Sequence, residues 1–223
     1  MSSDSISIIE HLQQWGACDI SSMQAFCSLC VADGLSKLNY PNGGFLEGLV
    51  MQLPQFQAGQ AKIVGQAFAV KFVPKSDISA PKLQGNSPLP HVNAVYGGLK
   101  TLRAQKLKAA GVVIDGRVRD LGEHQALNFP LFARSVGTTA GGEVCRPSEV
   151  NVPVRLNSSD QDAWIYAGDY IIAVMNGVVR LPHELAEQVL DIIPAIAEAD
   201  AKCAEAIKDG MSVHQAFKEF RGR

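Results

Sequence analysis

No stretch of this sequence is long and apolar enough to cross a membrane. The longest apolar runs, such as residues 170–175, fall far short of the roughly 20 residues a spanning helix needs. An excess of one charge is missing too: the formal net charge is −2, so no global basic field draws the chain to nucleic acid. Cysteines are few, and Cys18, Cys27, Cys30, Cys145 and Cys203 make an odd, scattered set that argues against a disulfide framework. Cys27 and Cys30 form a lone CxxC, with no second CxxC and no His pair at metal spacing. Two buried thiols on one helix face are therefore expected, rather than a zinc or redox centre. The opening MSSDSISIIEHLQQWG has no basic segment followed by a long apolar one, so no signal peptide is expected and the cytosol is the expected compartment. Nor is any tract poor enough in apolar residues to stay disordered. Hydrophobic residues make up 47% and charged residues 19% of 223, which suits one large globular domain over residues 1–223 with a helical tail.

The pattern of apolar residues predicts alternating strands and helices. Short helices are expected at 6–15 and 25–38, the second closed by the turn PNGG at 41–44. Residues 61–73 alternate and are rich in β-branched and aromatic types, which predicts one strand, and the proline-rich 74–90 reads as a loop. A helix at 99–110 ends at Gly111, where a buried strand GVVI begins. A helical turn near 122–127 precedes a strand at 130–136, and late strands are expected at 152–156, 163–165, 170–174 and 177–181. The chain closes with helices at 183–208, where Pro194 could break the run, and 213–220. Alternation of this kind predicts a single α/β domain with helices flanking a sheet.

Residues 96–120, YGGLKTLRAQKLKAAGVVIDGRVRD, carry the chemistry. They read as a glycine turn, a helix, a buried strand and a polar loop at the strand's C-terminal end, where α/β sheets bind ligands. Gly97 and Gly98 start the helix, where free N–H groups and the positive dipole end suit a carboxylate. Arg119 can grip a carboxylate or enolate with two parallel hydrogen bonds. Asp120 is a hard oxygen ligand for Mg²⁺ or Mn²⁺. Together they suit a divalent metal and a small 2-oxo acid. A solvated surface Arg–Asp pair has the same spacing and equal weight on that spacing alone.

These residues resemble the family that joins 4-hydroxy-4-methyl-2-oxoglutarate aldolase with the RraA-like regulators of ribonuclease activity. The resemblance runs through CDIS at 18–21, GxAxxV at 65–70, the whole of 96–120, FPLFARSVGT at 129–138 and AGDYIIAVMNGVVRLP at 167–182. Family members carry an acidic residue or a glycine, then twenty residues, then Arg-Asp. Gly98 and Arg119 keep that spacing, and Glu123 follows as in the glycine branch. The resemblance implies an α/β/α sandwich of the swivelling phosphohistidine-domain type, assembled as a homotrimer or hexamer with sites between subunits. It implies that Asp120 holds the metal largely through ordered water, that Arg119 and the amides of Gly97, Gly98, Leu99 and Lys100 hold the pyruvate-like half, and that Glu123 replaces the missing carboxylate at position 98. The implied chemistry is retro-aldol cleavage or oxaloacetate decarboxylation through a pyruvate enolate, by a carbon–carbon lyase.

The chain departs from the family in three places. Ser21 and Asp33 are separated by the 11 residues SMQAFCSLCVA, where the family usually runs CDIS into D-x-L. Lys75-Ser76-Asp77 runs almost straight into ISAPKLQGN, so a central strand of the form P-x-G-x-V-V-V is expected to be missing. Asn176-Gly177 stands for the usual Asp-Gly, a neutral change in a turn. Other residues have two readings each. His124 is either a general acid or a solvent-facing helix-start residue, and Asp115 is expected only to begin or cap the loop. Lys100 is not expected to be buried enough for a Schiff base, and Lys100, Arg103, Lys106 and Lys108 read as one wet helix face rather than a nucleic-acid patch. Three functions compete: a metal-dependent lyase on a 2-oxo acid, a non-catalytic regulatory binding protein, and a lyase for a larger natural-product keto acid. The Arg119, Asp120, Glu123 triplet favours a lyase, because a pure binding module has no need of it.

Overall fold

VVI after Gly111 and LFA after Pro130 are apolar runs bounded by turn residues, the pattern of strands buried on both faces. In the computed structural model, which describes residues 3–15, 27–56, 61–81 and 93–222, they lie side by side in the middle of a sheet. The chain divides into two compact units, Phe45–Arg180 on one hand and Met1–Gly44 with Leu181–Arg223 on the other.

The first unit holds the sheets. Its strands are β1 Phe45–Leu46, β2 Val50–Leu53, β3 Ile63–Gln66, β4 Val70–Pro74, β5 Ala94–Tyr96, β6 Val112–Val118, β7 Leu131–Val136, β8 Cys145–Val150, β9 Val154–Arg155, β10 Trp164–Ile165, β11 Tyr170–Val174 and β12 Gly177–Leu181. One four-stranded sheet has the order β2-β7-β6-β5, with β5, β6 and β7 parallel and β2 antiparallel to β7. A second has the order β1-β12-β11-β3. Two-stranded ladders, β4–β8 and β9–β10, complete the set. Leu46, Met51, Ile63, Phe132, Ala173 and Val178 pack the two larger sheets together in one buried cluster. Parallel strands need crossovers, and here they are the short helices Gly98–Lys106, between β5 and β6, and Leu121–Ala126, between β6 and β7. Both begin at the C-terminal ends of their strands, so the glycine turn and the Arg119-Asp120 turn meet at one edge of the sheet.

The second unit is helical: Ser3–Trp15, Cys27–Lys37, Ala186–Lys208 and Val213–Phe220. In chain order the six α-helices among the described residues are α1 Ser3–Trp15, α2 Cys27–Lys37, α3 Gly98–Lys106, α4 Leu121–Ala126, α5 Ala186–Lys208 and α6 Val213–Phe220. Leu12, Val31, Leu35, Val189, Ile193 and Ile196 are among its buried residues on α1, α2 and α5. Gly34 lets α2 come close to α5, because a Cβ there would lie 3.2 Å from Val189 Cγ1. The expected break at Pro194 does not occur, and α5 runs through it. A capping box at Ser212–Gln215 starts α6. None of the described helices is long and apolar enough to cross a membrane.

The mixed α/β class expected from the sequence holds, with particular corrections. The single strand expected at 61–73 is two strands in different sheets, β3 and β4, because the chain bends at 67–69. Strands β1, β2, β5 and β8 lie where the patterning marks none. The strand begun by GVVI extends to Val118, which puts Asp115 inside β6 rather than at the head of a loop. There Asp115 pairs with Arg134 Nε at 2.5 Å and accepts the Asn157 N–H at 2.6 Å. The side chains of Cys27 and Cys30, the CDIS motif and residues 82–92 lie outside the described residues.

One buried ion pair anchors the β11–β12 region. Arg180 Nε lies 2.6 Å from Asp169 Oδ2, with side-chain exposures of only 9% and 3%. The same Oδ2 accepts the Tyr166 N–H at 2.7 Å. Removing one partner strands the other charge away from water. Arg180→Met is expected to cost about 3–5 kcal/mol, read as a lower urea midpoint at unchanged m-value.

Candidate functional site

At the end of β6 the chain turns sharply. Arg119 N–H still donates to Tyr96 O on β5 at 2.9 Å, and the next residue, Asp120, adopts φ 60, ψ 42. Asp is one of the few non-glycine residues that adopt this left-handed conformation, and its neighbours help to hold it. It swings the Asp120 carboxylate back over the glycine turn, where Oδ2 accepts the Gly98 N–H at 3.1 Å and lies 3.6 Å from Arg119 Nε. Arg119 and Asp120 side chains are 40% and 33% exposed, open enough to meet a ligand.

Both glycines are needed for room rather than for backbone freedom: Gly97, the N-cap of α3, is extended at φ −139, ψ 176. A Cβ on Gly97 would lie 2.5 Å from Asp120 Oδ2 and 3.4 Å from Arg119 Nε. A Cβ on Gly98 would overlap the Glu123 carboxylate. Glu123, in the first turn of α4, thus occupies the volume that a side chain at position 98 would fill. Two carboxylates, Asp120 at Gly97 and Glu123 at Gly98, thus converge on one turn.

A cleft of about 270 Å³ opens beside them, lined by Ala94–Gly97, Leu99, Lys100, Arg119, Asp120 and Ala140–Gly142. It lies just below the roughly 300–1,000 Å³ of drug-sized pockets, a size for a small acid. A wider groove of about 540 Å³ in the helical unit is lined by Ser7, Ile8, His11, Glu187, Leu190, Asp191 and Pro194. It has no arginine, and among the described residues no three His, Cys, Asp or Glu side chains are placed to hold a metal. The smaller cleft is the one with convergent chemistry.

Lys100 differs from its sequence reading. The residue as a whole is exposed, but its ammonium turns back to donate to Val95 O at 2.8 Å. Desolvation of that end lowers its pKa, and the Arg119 charge lowers it further. It is therefore not simply a member of a wet helix face. Two of the four amides expected to bind a carboxylate are engaged within the turn: Gly98 N–H by Asp120, and Lys100 N–H by Gly97 O at 3.0 Å. His124 is neither solvent-facing nor free to act as an acid. It is fully buried, with Nδ1 2.8 Å from Thr101 Oγ1 and Nε2 2.7 Å from Arg119 O. Its ring stacks on Tyr96 at 5.9 Å between centroids. The Tyr96 phenol is held above its ordinary pKa by burial. Sequence spacing misses His124 because its partners come from α3 and from the strand end, 23 and 5 residues away.

Residues 31–180, which contain this whole arrangement, match the RraA-like family, described as Aldolase/RraA. The chain belongs to the RraA-like family. A provisionally named 4-hydroxy-4-methyl-2-oxoglutarate aldolase of Halalkalibacterium halodurans is 31% identical over 126 residues, 56% of this chain and 58% of that protein. A solved structure from Pseudomonas syringae pv. tomato superposes with a TM-score of 0.72 at 25% identity, over 95% of this chain and 96% of that one. Streptomyces coelicolor RraAS2, described as an unusual member of the RNase ES inhibitor RraA family, shares the fold with a TM-score of 0.60 at 18% identity, over 82% and 90% of the chains. The matched stretches cover between 30% and 58% of the lengths of the curated relatives. The RraA-like chain thus has the mixed α/β fold of RraA proteins, in a family that unites aldolases with regulators.

Proposed function

We propose that this RraA-like chain is a divalent-metal-dependent carbon–carbon lyase that releases pyruvate from a small 2-oxo acid. The observation that carries this reading is the convergence of Asp120 and Glu123 on the Gly97–Gly98 turn beside Arg119. A regulator that only covers another protein's surface needs neither the Asp120 carboxylate on a cleft of this size nor the Glu123 carboxylate against the adjoining Gly98. Two hard oxygen donors with room for solvent fit Mg²⁺ or Mn²⁺, which keeps several waters and takes one or two carboxylates from protein. Asp120 would hold the ion and Glu123 would reach its water shell. When bound, the ion supplies Lewis acidity toward the keto oxygen.

The chain's own groups do the rest. Arg119 grips the acid end of the substrate and, as the C3–C4 bond breaks, faces the negative charge that gathers on the pyruvate half as its enolate. In retro-aldol cleavage the C4 hydroxyl gives its proton to water in the cleft as C3–C4 breaks and a carbonyl fragment leaves; in oxaloacetate decarboxylation the C4 carboxylate leaves as CO2. Either way the electron pair stays on C3, where a proton from water completes pyruvate, so one site serves both. With Gly98 N–H and Lys100 N–H engaged in the turn, the guanidinium is the main grip and Leu99 lines the wall. Lys100, close enough to Arg119 for the two charges to repel, places a second cation in the cleft for a second carboxylate. The trimeric or hexameric assembly that the family resemblance implies, and the cytosolic location expected from the sequence, belong to this reading.

A panel of 2-oxo acids tests it: pyruvate release above a protein-free control containing the same metal is expected for diacids, and no release from any member of the panel contradicts a lyase. Glu123→Gln is expected to lower kcat at least tenfold, a barrier change above roughly 1.4 kcal/mol. KM should change less, since Arg119 still binds the carboxylate. An unchanged kcat would reduce Glu123 to a space-filling residue. A pH prediction follows from Lys100. Its lowered pKa means that it loses charge at a lower pH than a free lysine as pH rises. KM for a diacid should therefore climb on the alkaline side below the ordinary lysine range, and Lys100→Arg should push that rise to higher pH. A KM–pH profile that is the same in both proteins would remove Lys100 from binding.

A further inference from the structure

We propose that His124 is a positioning residue, which fixes the Arg119–Asp120 peptide and so keeps the Asp120 carboxylate on the glycine turn. Asp120 has a left-handed backbone, which its neighbours help to hold. Arg119 N–H is held by Tyr96 O, and Arg119 O by His124 Nε2 at 2.7 Å. The peptide that leads into Asp120 is thereby pinned at both ends of residue 119.

The ring's own position is over-determined. A carbonyl oxygen can only accept, so Nε2 carries the proton in its bond to Arg119 O. In the neutral ring Nδ1 then accepts from the Thr101 hydroxyl at 2.8 Å. His124 and Thr101 are both fully buried, and the ring face packs on Tyr96. One imidazole therefore ties together β5, the first turns of α3 and the end of β6, the three pieces that build the cleft. A side chain needed only to fill the core would not require a buried donor aimed at a backbone carbonyl. Removing it leaves the half-buried Arg119 carbonyl without this partner, and the peptide can relax out of its setting.

The direct readout is hydrogen exchange of the Gly98 amide, which donates to Asp120 Oδ2. It reports the carboxylate's place without metal or substrate. His124→Phe keeps the ring shape and loses both hydrogen bonds, and should speed Gly98 exchange about tenfold, toward the rate in Asp120→Ala. His124→Gln can place an N–H near Nε2 and should remain within about threefold of the unaltered protein. His124→Asn reaches only the Nδ1 side and should behave as Phe does. If His124→Phe fails to fold, the Asn–Gln comparison decides. Equal Gly98 exchange in those two, or an unchanged rate in folded His124→Phe, overturns the proposal. A second readout rests on the lyase reading: kcat should fall at least tenfold in His124→Asn and be largely restored in His124→Gln at a similar Tm. Protection of Gly98 that follows this order in a protein releasing no pyruvate would overturn the lyase reading and leave the positioning role standing.

Discussion

Asp120→Ala is expected to lower metal-dependent pyruvate release by about a thousandfold or more, on the order of 4 kcal/mol of barrier. Asp120 has two tasks in this site. Its carboxylate would be the one direct protein ligand of the ion, and it also caps the Gly98 N–H. Loss of the ligand removes the Lewis acid, while loss of the cap loosens the turn. The fold should survive, because Asp120 is one-third exposed and outside the buried clusters. Alanine also tolerates the left-handed backbone poorly, so Asp120→Asn is the needed companion: asparagine adopts that conformation and can accept from Gly98 but carries no charge. If the charge matters for metal, Asn should be almost as inactive as Ala, with Mn²⁺ affinity falling in both. Activity retained in Asn would assign Asp120 to the turn alone.

The second large effect concerns the place shared by residues 98 and 123. Gly98→Asp alone is expected to lower activity at least a hundredfold, because its Cβ overlaps the Glu123 side chain and two carboxylates would compete for one space. Combining it with Glu123→Gln does little to help, since glutamine fills the same volume. Combining it with Glu123→Gly empties that volume for a carboxylate at position 98. The swapped protein should recover to within about tenfold of the unaltered kcat, roughly 1.4 kcal/mol. Kinetics of the two singles and the double give the coupling directly. Additive losses, with no recovery in the double, would mean that Glu123 does not stand in for a carboxylate at position 98.

Much of the centre of the fold was legible because its signals are local. VVI and LFA are apolar runs closed by glycine or proline, and both became parallel neighbours. Arg119 and Asp120 fall at the strand end, where polar residues after a buried run mark a ligand edge. What failed was non-local. Residues 61–73 keep period-two alternation through a point where the chain changes sheet, with Ala67 N–H turning to Asp169 O at 2.7 Å. Strand β5 has three residues, too few to show a period. His124 looks like a surface residue at a helix start, and only the approach of Thr101 and the Arg119 carbonyl makes it a core one. Lys100 sits on an exposed helix position, and the carbonyl that draws its ammonium inward belongs to the preceding strand. The spacing Gly98, Arg119, Glu123 was visible as a family pattern. That Glu123 fills the glycine's empty side-chain volume is a fact of three dimensions.

The central claim is tested most directly by oxaloacetate decarboxylation with metal removed and restored. The protein is stripped with chelator, assayed, then titrated with Mn²⁺ beside a protein-free control, because Mn²⁺ alone promotes this reaction. The account predicts no rate from the stripped protein and a saturable rate above the control as Mn²⁺ is added. A rate from the stripped protein equal to that with Mn²⁺, or a rate that never exceeds the control, would contradict it.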